Sequence, residues 1–180
     1  MKRRLSCLTF VSLCVLSGCG RHEPASAKPD KPAAAAKLGD GFYVVLRQGD
    51  SAVEVGPLGD GEAALVQDYR YLKEKQSPKF LVVRTRPDVP LALARPPERA
   101  EEAGTLRILL ELTPAGADAL ERVTRANKDG HAAVIIGGEV VTTHKIRQAI
   151  TGGKLQISNC DPDAGQFLWR QLQALAGPVK

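Results

Sequence analysis

Residues 131–143 read HAAVIIGGEVVTT, two short apolar runs on either side of a glycine pair. Both runs are rich in β-branched and aliphatic residues, which favour strands. Gly137 and Gly138 can both adopt a positive φ, as the two central residues of a tight hairpin turn require. The stretch therefore predicts an antiparallel hairpin, with strands at residues 131–136 and 139–143.

The sequence around this hairpin predicts alternating strands and helices. A threonine followed by proline is a typical helix start, with the hydroxyl as N-cap and the proline at the first helical position. The predicted elements are a strand at 106–112, a helix opened by Thr113-Pro114, the hairpin, a short helix at 145–150, a strand at 155–158 and a last helix opened by Asp161-Pro162. This order predicts an α+β fold, with helices on one face of an antiparallel sheet.

A smaller strand-strand-helix-strand segment is predicted before this region. Its elements are strands at 42–47 and 52–55, a helix at 62–75 and a strand at 80–84. The helix is predicted because Leu65, Tyr69 and Leu72 recur at the spacing of one helical face. Prolines at 87, 90, 96 and 97 then indicate an irregular stretch.

The N-terminus has the pattern of a lipoprotein signal peptide. A basic start, Lys2-Arg3-Arg4, precedes an apolar stretch over residues 5–16 that is too short for a spanning helix. It ends in Leu16-Ser17-Gly18-Cys19, an aliphatic residue and two small ones before a cysteine whose thiol can take a diacylglycerol. We expect cleavage after residue 18 and fatty acyl chains on Cys19, which would hold the protein on a membrane. Gly20, rather than aspartate, favours the outer membrane, with the folded part facing the periplasm.

The predicted organisation has four parts. Residues 1–18 form the signal peptide, and residues 19–37 hold the lipidated cysteine and a Pro/Ala-rich tether without large apolar residues. Residues 38–100 form an N-terminal α+β segment, and residues 101–180 form the main domain. Loss of Lys2, Arg3 and Arg4 lowers the basic count from 25 to 22, against 20 acidic residues. This near balance, without a basic stripe interleaved with aromatics, argues against nucleic-acid binding.

The sequence offers few residues for chemistry. His131 and His144 lie at the two outer ends of the hairpin strands, so they could approach each other across the ladder and bind a metal or a ligand. No serine after the tether has a nucleophile motif. Once Cys7 and Cys14 are cleaved off and Cys19 is acylated, Cys160 is the one remaining free cysteine, and we interpret it as a buried apolar residue or as an exposed thiol able to form a covalent dimer. We therefore predict no catalytic residues and no cofactor.

The second half of the chain resembles the periplasmic head subdomain of SecD, an auxiliary subunit of bacterial protein export. The resemblance covers residues 106–177, and it extends to residues 80–91 in a weaker form. Its motifs are LELTPAGA at 110–117, VIIGGEVV at 134–141, Ile146, Ile150, Gly152-Gly153, LQIS at 155–158 and DPDA at 161–164. Two positions depart from the family pattern: Thr143-His144 stands where proline is common, and Asn159-Cys160 stands where glycine is common.

The resemblance implies a ferredoxin-like head arrangement and contact with other polypeptides outside the cytoplasm. It implies no motor, since we expect this chain to lack the membrane helices of SecD. The first functional hypothesis is a non-catalytic, lipid-anchored envelope protein that presents a sheet edge or an apolar groove to another polypeptide. The alternatives are a small-ligand or envelope-polymer binder, a hydrolase that uses His131 or His144, and a structural spacer.

Overall fold

The computed structural model describes residues 38–67, 78–102, 105–159 and 162–175. The predicted signal peptide, Cys19, the tether and Cys160 lie outside these residues. Ten strands are described: β1 Gly41–Val45, β2 Arg47–Gly49, β3 Glu62–Gln67, β4 Lys79–Arg84, β5 Val89–Pro90, β6 Glu98–Glu102, β7 Thr105–Glu111, β8 His131–Ile136, β9 Glu139–Lys145 and β10 Lys154–Asn159. Three helices accompany them: α1 Ala52–Val55, α2 Pro114–Ala126 and α3 Pro162–Leu175. No helix of the described part is long and apolar enough to span a membrane.

The strands form three antiparallel sheets. Their orders are β5-β1-β8-β9, β10-β7-β6 and β2-β4-β3. The predicted α+β class with antiparallel pairing is thus confirmed. The strands predicted as one sheet are divided, because β7 and β10 pair with each other and not with the hairpin.

The four-stranded sheet is buried on both faces. Ala132, Val134 and Ile136 of β8 pack into a core with α2, α3 and the β10-β7-β6 sheet. Ala133 and Ile135, on the opposite face, pack into a second core with β3 and β4. Residues 132–136 are consequently all buried. This sheet is the middle layer of the fold, with the two long helices on one side of it.

The structure confirms the central predictions for the second half of the chain. Gly137 and Gly138 have φ of 62° and 81° and connect β8 to β9 as a two-residue turn. The Thr113 hydroxyl accepts a hydrogen bond from the Gly116 N–H, and Pro114 stands at the first turn of α2. The predicted helix at 145–150 is wrong. Lys145 instead ends β9, and Ile146 N–H donates to the Gly130 carbonyl, so the chain continues the hairpin ladder before becoming irregular.

Two predictions for the N-terminal segment are also wrong. Residues 52–55 form the single turn α1 and not a strand, because the Ser51 hydroxyl accepts from the Glu54 N–H and Gly56, with φ of 71°, closes the turn. Residues 62–67 form β3 and not a helix. Ala63, Leu65 and Gln67 alternate inward, and the whole strand pairs with β4. The predicted helix positions Tyr69 and Leu72 lie outside the described residues.

The proline-rich stretch contains more regular structure than predicted. Pro90 lies in the short edge strand β5, opposite Gly41, and β6 begins directly after Pro97. The boundary predicted at residue 100 falls inside β6. Strands from both sides of that boundary share the four-stranded sheet, because β1 pairs with β8 along its full length.

One arginine ties α1 to β2 and β3. The Arg47 guanidinium donates to both carboxylate oxygens of Glu62, at 3.0 and 2.7 Å, and to the carbonyls of Val55 and Pro57. The hydrogen bond from Arg47, followed by that from the Gly59 N–H, holds the pKa of the Glu62 carboxyl below its usual range. These contacts fix the loop between α1 and β3.

We predict that Glu62→Gln destabilises the protein at neutral pH and not in acid. A lowered pKa contributes stability above the unfolded-state value of about 4.3, and this contribution is lost as the pH falls through the lower folded-state value. Thermal unfolding from pH 7 to pH 3 should show a lower Tm for the variant at pH 7 and a gap that closes towards pH 3. The exposed neighbour Asp60 provides the control, Asp60→Asn, which should behave like wild type. A gap that stays constant across this range would contradict the assignment.

A second prediction concerns the glycine pair before β10. Gly152 and Gly153 have φ of 72° and 62°, so alanine at either position costs about 1–2 kcal/mol of backbone strain. Only at Gly153 would an added Cβ meet α2, 2.6 Å from the Ala117 Cβ, while Gly152 faces open space. Gly153→Ala should therefore lower the free energy of unfolding by a further ~1–3 kcal/mol compared with Gly152→Ala. Equal losses in urea unfolding would show that α2 does not pack closely on this turn.

Candidate functional site

An apolar cavity of about 230 Å³ lies between the four-stranded sheet and β10. Its walls come from β1, β8 and β9 on one side, from the segment after β9, and from β10 on the other side. The lining residues are Phe42, Ala132, Val134, Thr142, His144, Ile150, Lys154, Leu155, Gln156 and Ile157. We call this cavity the groove. Apolar side chains form its walls, and polar side chains stand among them.

A buried threonine positions one wall of the groove. The Thr124 hydroxyl on α2 donates to the Leu120 carbonyl at 2.7 Å and accepts from the Ile150 N–H at 2.9 Å. Thr124 is fully buried, so both bonds form away from water, where an unpaired hydroxyl would be costly. The irregular segment after β9 is thereby fastened to α2, and Ile150 is held against the groove.

The two predicted histidines do not converge. His131 lies opposite Lys145 and His144 lies opposite Ala132, so the two side chains point to opposite faces of the hairpin. His144 lines the groove, where its Nε2 lies 2.9 Å from the Thr142 hydroxyl. His131 lies on the face of Ala133 and Ile135. The expectation of a shared metal or ligand site is therefore corrected by the register of the strands.

The described residues form no other cluster of metal-binding side chains. Within these ranges no cluster of three or more His, Cys, Asp or Glu side chains could hold a metal ion. Ser51 caps α1, and the Ser158 hydroxyl accepts from the Gln156 side chain at 3.2 Å. Gly137 and Gly138 form the turn between β8 and β9. Apolar lining residues such as Phe42, Val134 and Ile157 suit the groove to contact apolar groups.

A second cavity, of about 310 Å³, lies on the outer face of the β10-β7-β6 sheet. Arg95 lines this cavity and forms ion pairs with Glu98 at 2.9 Å and Glu111 at 2.7 Å. Lys154, Leu155 and Gln156 line both this cavity and the groove. We call this second cavity the outer cavity. Strand β10 therefore separates two recesses, and it pairs with β7 alone among the described strands.

The sequence did not predict this arrangement. It predicted a strand at 155–158, but it placed that strand in the same sheet as the hairpin, where no groove would exist. Polar and apolar residues alternate from Lys154 to Ser158, which is the pattern of a strand with two different faces. That alternation indicates a strand with one buried face, but it does not indicate which sheet the strand joins.

Comparisons with known proteins identify the family. The family model described as the SecDF, P1 head subdomain matches residues 74–176, more than half of the chain. The protein translocase subunit SecDF of Thermus thermophilus is 42% identical over 57 residues, which are 32% of this chain and 8% of that protein. The chain thus spans less than a tenth of the length of this curated relative.

Solved structures of SecDF show a partial likeness. The structure described as a membrane component SecDF that enhances protein export has 32% identity and a TM-score of 0.42, over 49% of this chain and 40% of that one. SecDF in its super-membrane-facing form has 23% identity and a TM-score of 0.47, over 79% of this chain and 19% of that one. The assignment rests on the sequence match across residues 74–176. The chain belongs to the SecDF P1 head subdomain family.

Proposed function

We propose that this protein is a non-catalytic, lipid-anchored accessory module that binds polypeptide segments in the groove. The observation that carries the proposal is the apolar cleft that opens beside the outer edge of β10, where no other described strand pairs with it. Such a site can hold an extended chain through both its side chains and its backbone. Among the described residues, no cluster of three or more His, Cys, Asp or Glu side chains could hold a metal ion there.

The size of the groove favours side chains of a polypeptide over a free small molecule. Pockets for drug-sized ligands usually enclose about 300–1,000 Å³. The groove holds about 230 Å³, enough for one or two apolar side chains. The strand register places His131 and His144 on opposite faces, so a hydrolase that uses His131 or His144 would have only one of them at its site.

Family membership supports a polypeptide as the bound molecule. A related solved structure is described as a membrane component that enhances protein export. We extend that association with exported polypeptides to this chain as part of the proposal. The predicted signal peptide and acylation of Cys19 would hold the head at the outer membrane, facing the periplasm, where exported chains pass.

Filling the groove should abolish binding. We expect Thr142→Phe to weaken the affinity for a fluorescein-labelled, permanently unfolded polypeptide at least tenfold, because the ring would occupy the space that receives an apolar side chain. Fluorescence anisotropy with the purified periplasmic part of the chain measures this. Gln48→Phe adds the same bulk at an exposed position of β2 and should bind like wild type.

Two results would contradict the proposed site or function. Wild-type protein that binds no unfolded polypeptide would reject polypeptide binding. A folded Thr142→Phe variant with unchanged affinity would reject the groove. Should this variant fail to fold, a photoreactive residue at His144, on the rim, supplies the test. It should crosslink to the polypeptide, whereas the same residue at Gln48 should not.

The membrane anchor is tested separately at Cys19. Cys19→Ser removes the thiol that would accept the diacylglycerol, so the protein should lose its acyl chains and move from the membrane fraction to the soluble fraction. Radiolabelled palmitate incorporation and fractionation of intact cells measure the two effects. Cys14→Ser, within the same apolar stretch, is the matched control and should leave both unchanged. Palmitate incorporation that persists in Cys19→Ser would contradict the assignment of the anchor.

A further inference from the structure

The backbone of β10 shows which of its groups face the open edge. The Leu112 N–H donates to the Gly153 carbonyl at 2.9 Å, so the position before β10 directs its carbonyl towards β7. Lys154 lies opposite Glu111, one step further along the ladder. In an antiparallel pair the backbone groups of successive residues point alternately towards the partner and away from it. The N–H and C=O groups of Lys154, Gln156 and Ser158 therefore point away from β7.

A hydrogen bond on the other side of β7 supports this alternation of backbone directions. The Glu111 carbonyl accepts from the Ala94 N–H at 2.8 Å. That carbonyl consequently points away from β10, as the residue opposite Lys154 must if the two form a non-hydrogen-bonded pair. The outward direction of the Lys154 and Gln156 backbone groups thus follows from two independent contacts.

Successive side chains of β10 alternate between an exposed and a more buried face of the strand. Ile157 is buried and lines the groove, as does the half-buried Leu155. Lys154, Gln156 and Ser158 are exposed on the outer face. A strand added along β10 would continue this alternation, with every second side chain directed to the groove and the others beside the outer cavity.

The charges next to this edge favour one kind of partner. Arg95 is already engaged by Glu98 and Glu111. Lys154 is exposed, and among the described residues it forms no ion pair. An acidic side chain opposite Lys154 on an added strand would form a favourable cross-strand pair, and a basic one would be repelled.

We propose that the polypeptide bound by this protein adds to β10 as an extra strand. It is an extended segment in which apolar side chains, directed into the groove, alternate with polar ones, including an acidic residue opposite Lys154. This inference rests on the proposed polypeptide-binding function and assigns its mode of recognition. Backbone hydrogen bonds to Gln156 supply affinity, and the alternation supplies specificity.

The test removes a single backbone donor. Gln156→Pro deletes the outward N–H without touching the bonds to β7, and proline is tolerated on an edge strand where its N–H would face solvent. Gln156→Ala keeps the N–H and is the matched control. The probe is a fluorescein-labelled nonapeptide that alternates valine with glutamate, compared with the same peptide carrying lysine for glutamate.

Compared with Gln156→Ala, which loses the same side chain but keeps the N–H, Gln156→Pro should weaken binding of the glutamate peptide by about three- to tenfold, as expected for one lost hydrogen bond. The lysine peptide should bind wild-type protein about two- to fivefold more weakly than the glutamate peptide. If Gln156→Pro does not fold, glutamate peptides with single backbone esters are tested on wild-type protein. An ester at alternate positions should weaken binding by a similar factor.

Equal binding by Gln156→Pro and Gln156→Ala, together with insensitivity to backbone esters, would overturn strand addition. The polypeptide-binding function would still stand in that case, provided that Thr142→Phe blocks the unfolded polypeptide. A concentration-dependent dimer that forms without peptide and is lost in Gln156→Pro would also overturn the proposal, because the occupant would then be a second copy of this chain.

Discussion

Burial of β8 on both faces is the constraint on which the rest of the structure depends. A strand with two buried faces needs a covering layer on each side, and residues 132–136 provide five consecutive buried positions. One layer contains α2, α3 and the β10-β7-β6 sheet, and the other contains β3 and β4. Because β7 and β10 cover the hairpin sheet instead of extending it, a space remains between β9 and β10. The groove follows from this layered packing.

The sequence predicted the elements whose formation depends on local chemistry. The turn at Gly137-Gly138 needs residues that tolerate positive φ, and the start of α2 at Thr113 needs a capping hydroxyl followed by proline. Prediction from the sequence failed where tertiary contacts determine the secondary structure. Residues 62–75 have a helical apolar spacing, but within them residues 62–67 form a strand, because they pair with β4 over their full length and bury every second residue.

The candidate site was predicted only in outline. A groove or sheet edge for another polypeptide followed from the resemblance, yet His131 and His144 were the residues chosen, and a one-residue difference in register places them on opposite faces. The groove depends on which sheet β10 joins, a long-range choice that no local pattern in residues 154–159 specifies. Phe42 and Ile150 reach it through pairing of β1 with β8 and through the bond from Ile150 to Thr124.

Amide hydrogen exchange of β10, read residue by residue by NMR with and without a saturating alternating peptide, tests the central claim most directly. We expect exchange to slow at Gln156 and Ser158, whose N–H groups face the open edge, while Leu155 and Ile157, already paired with β7, change little. Unchanged exchange along β10 despite bound peptide, or new protection confined to another surface, would contradict the account.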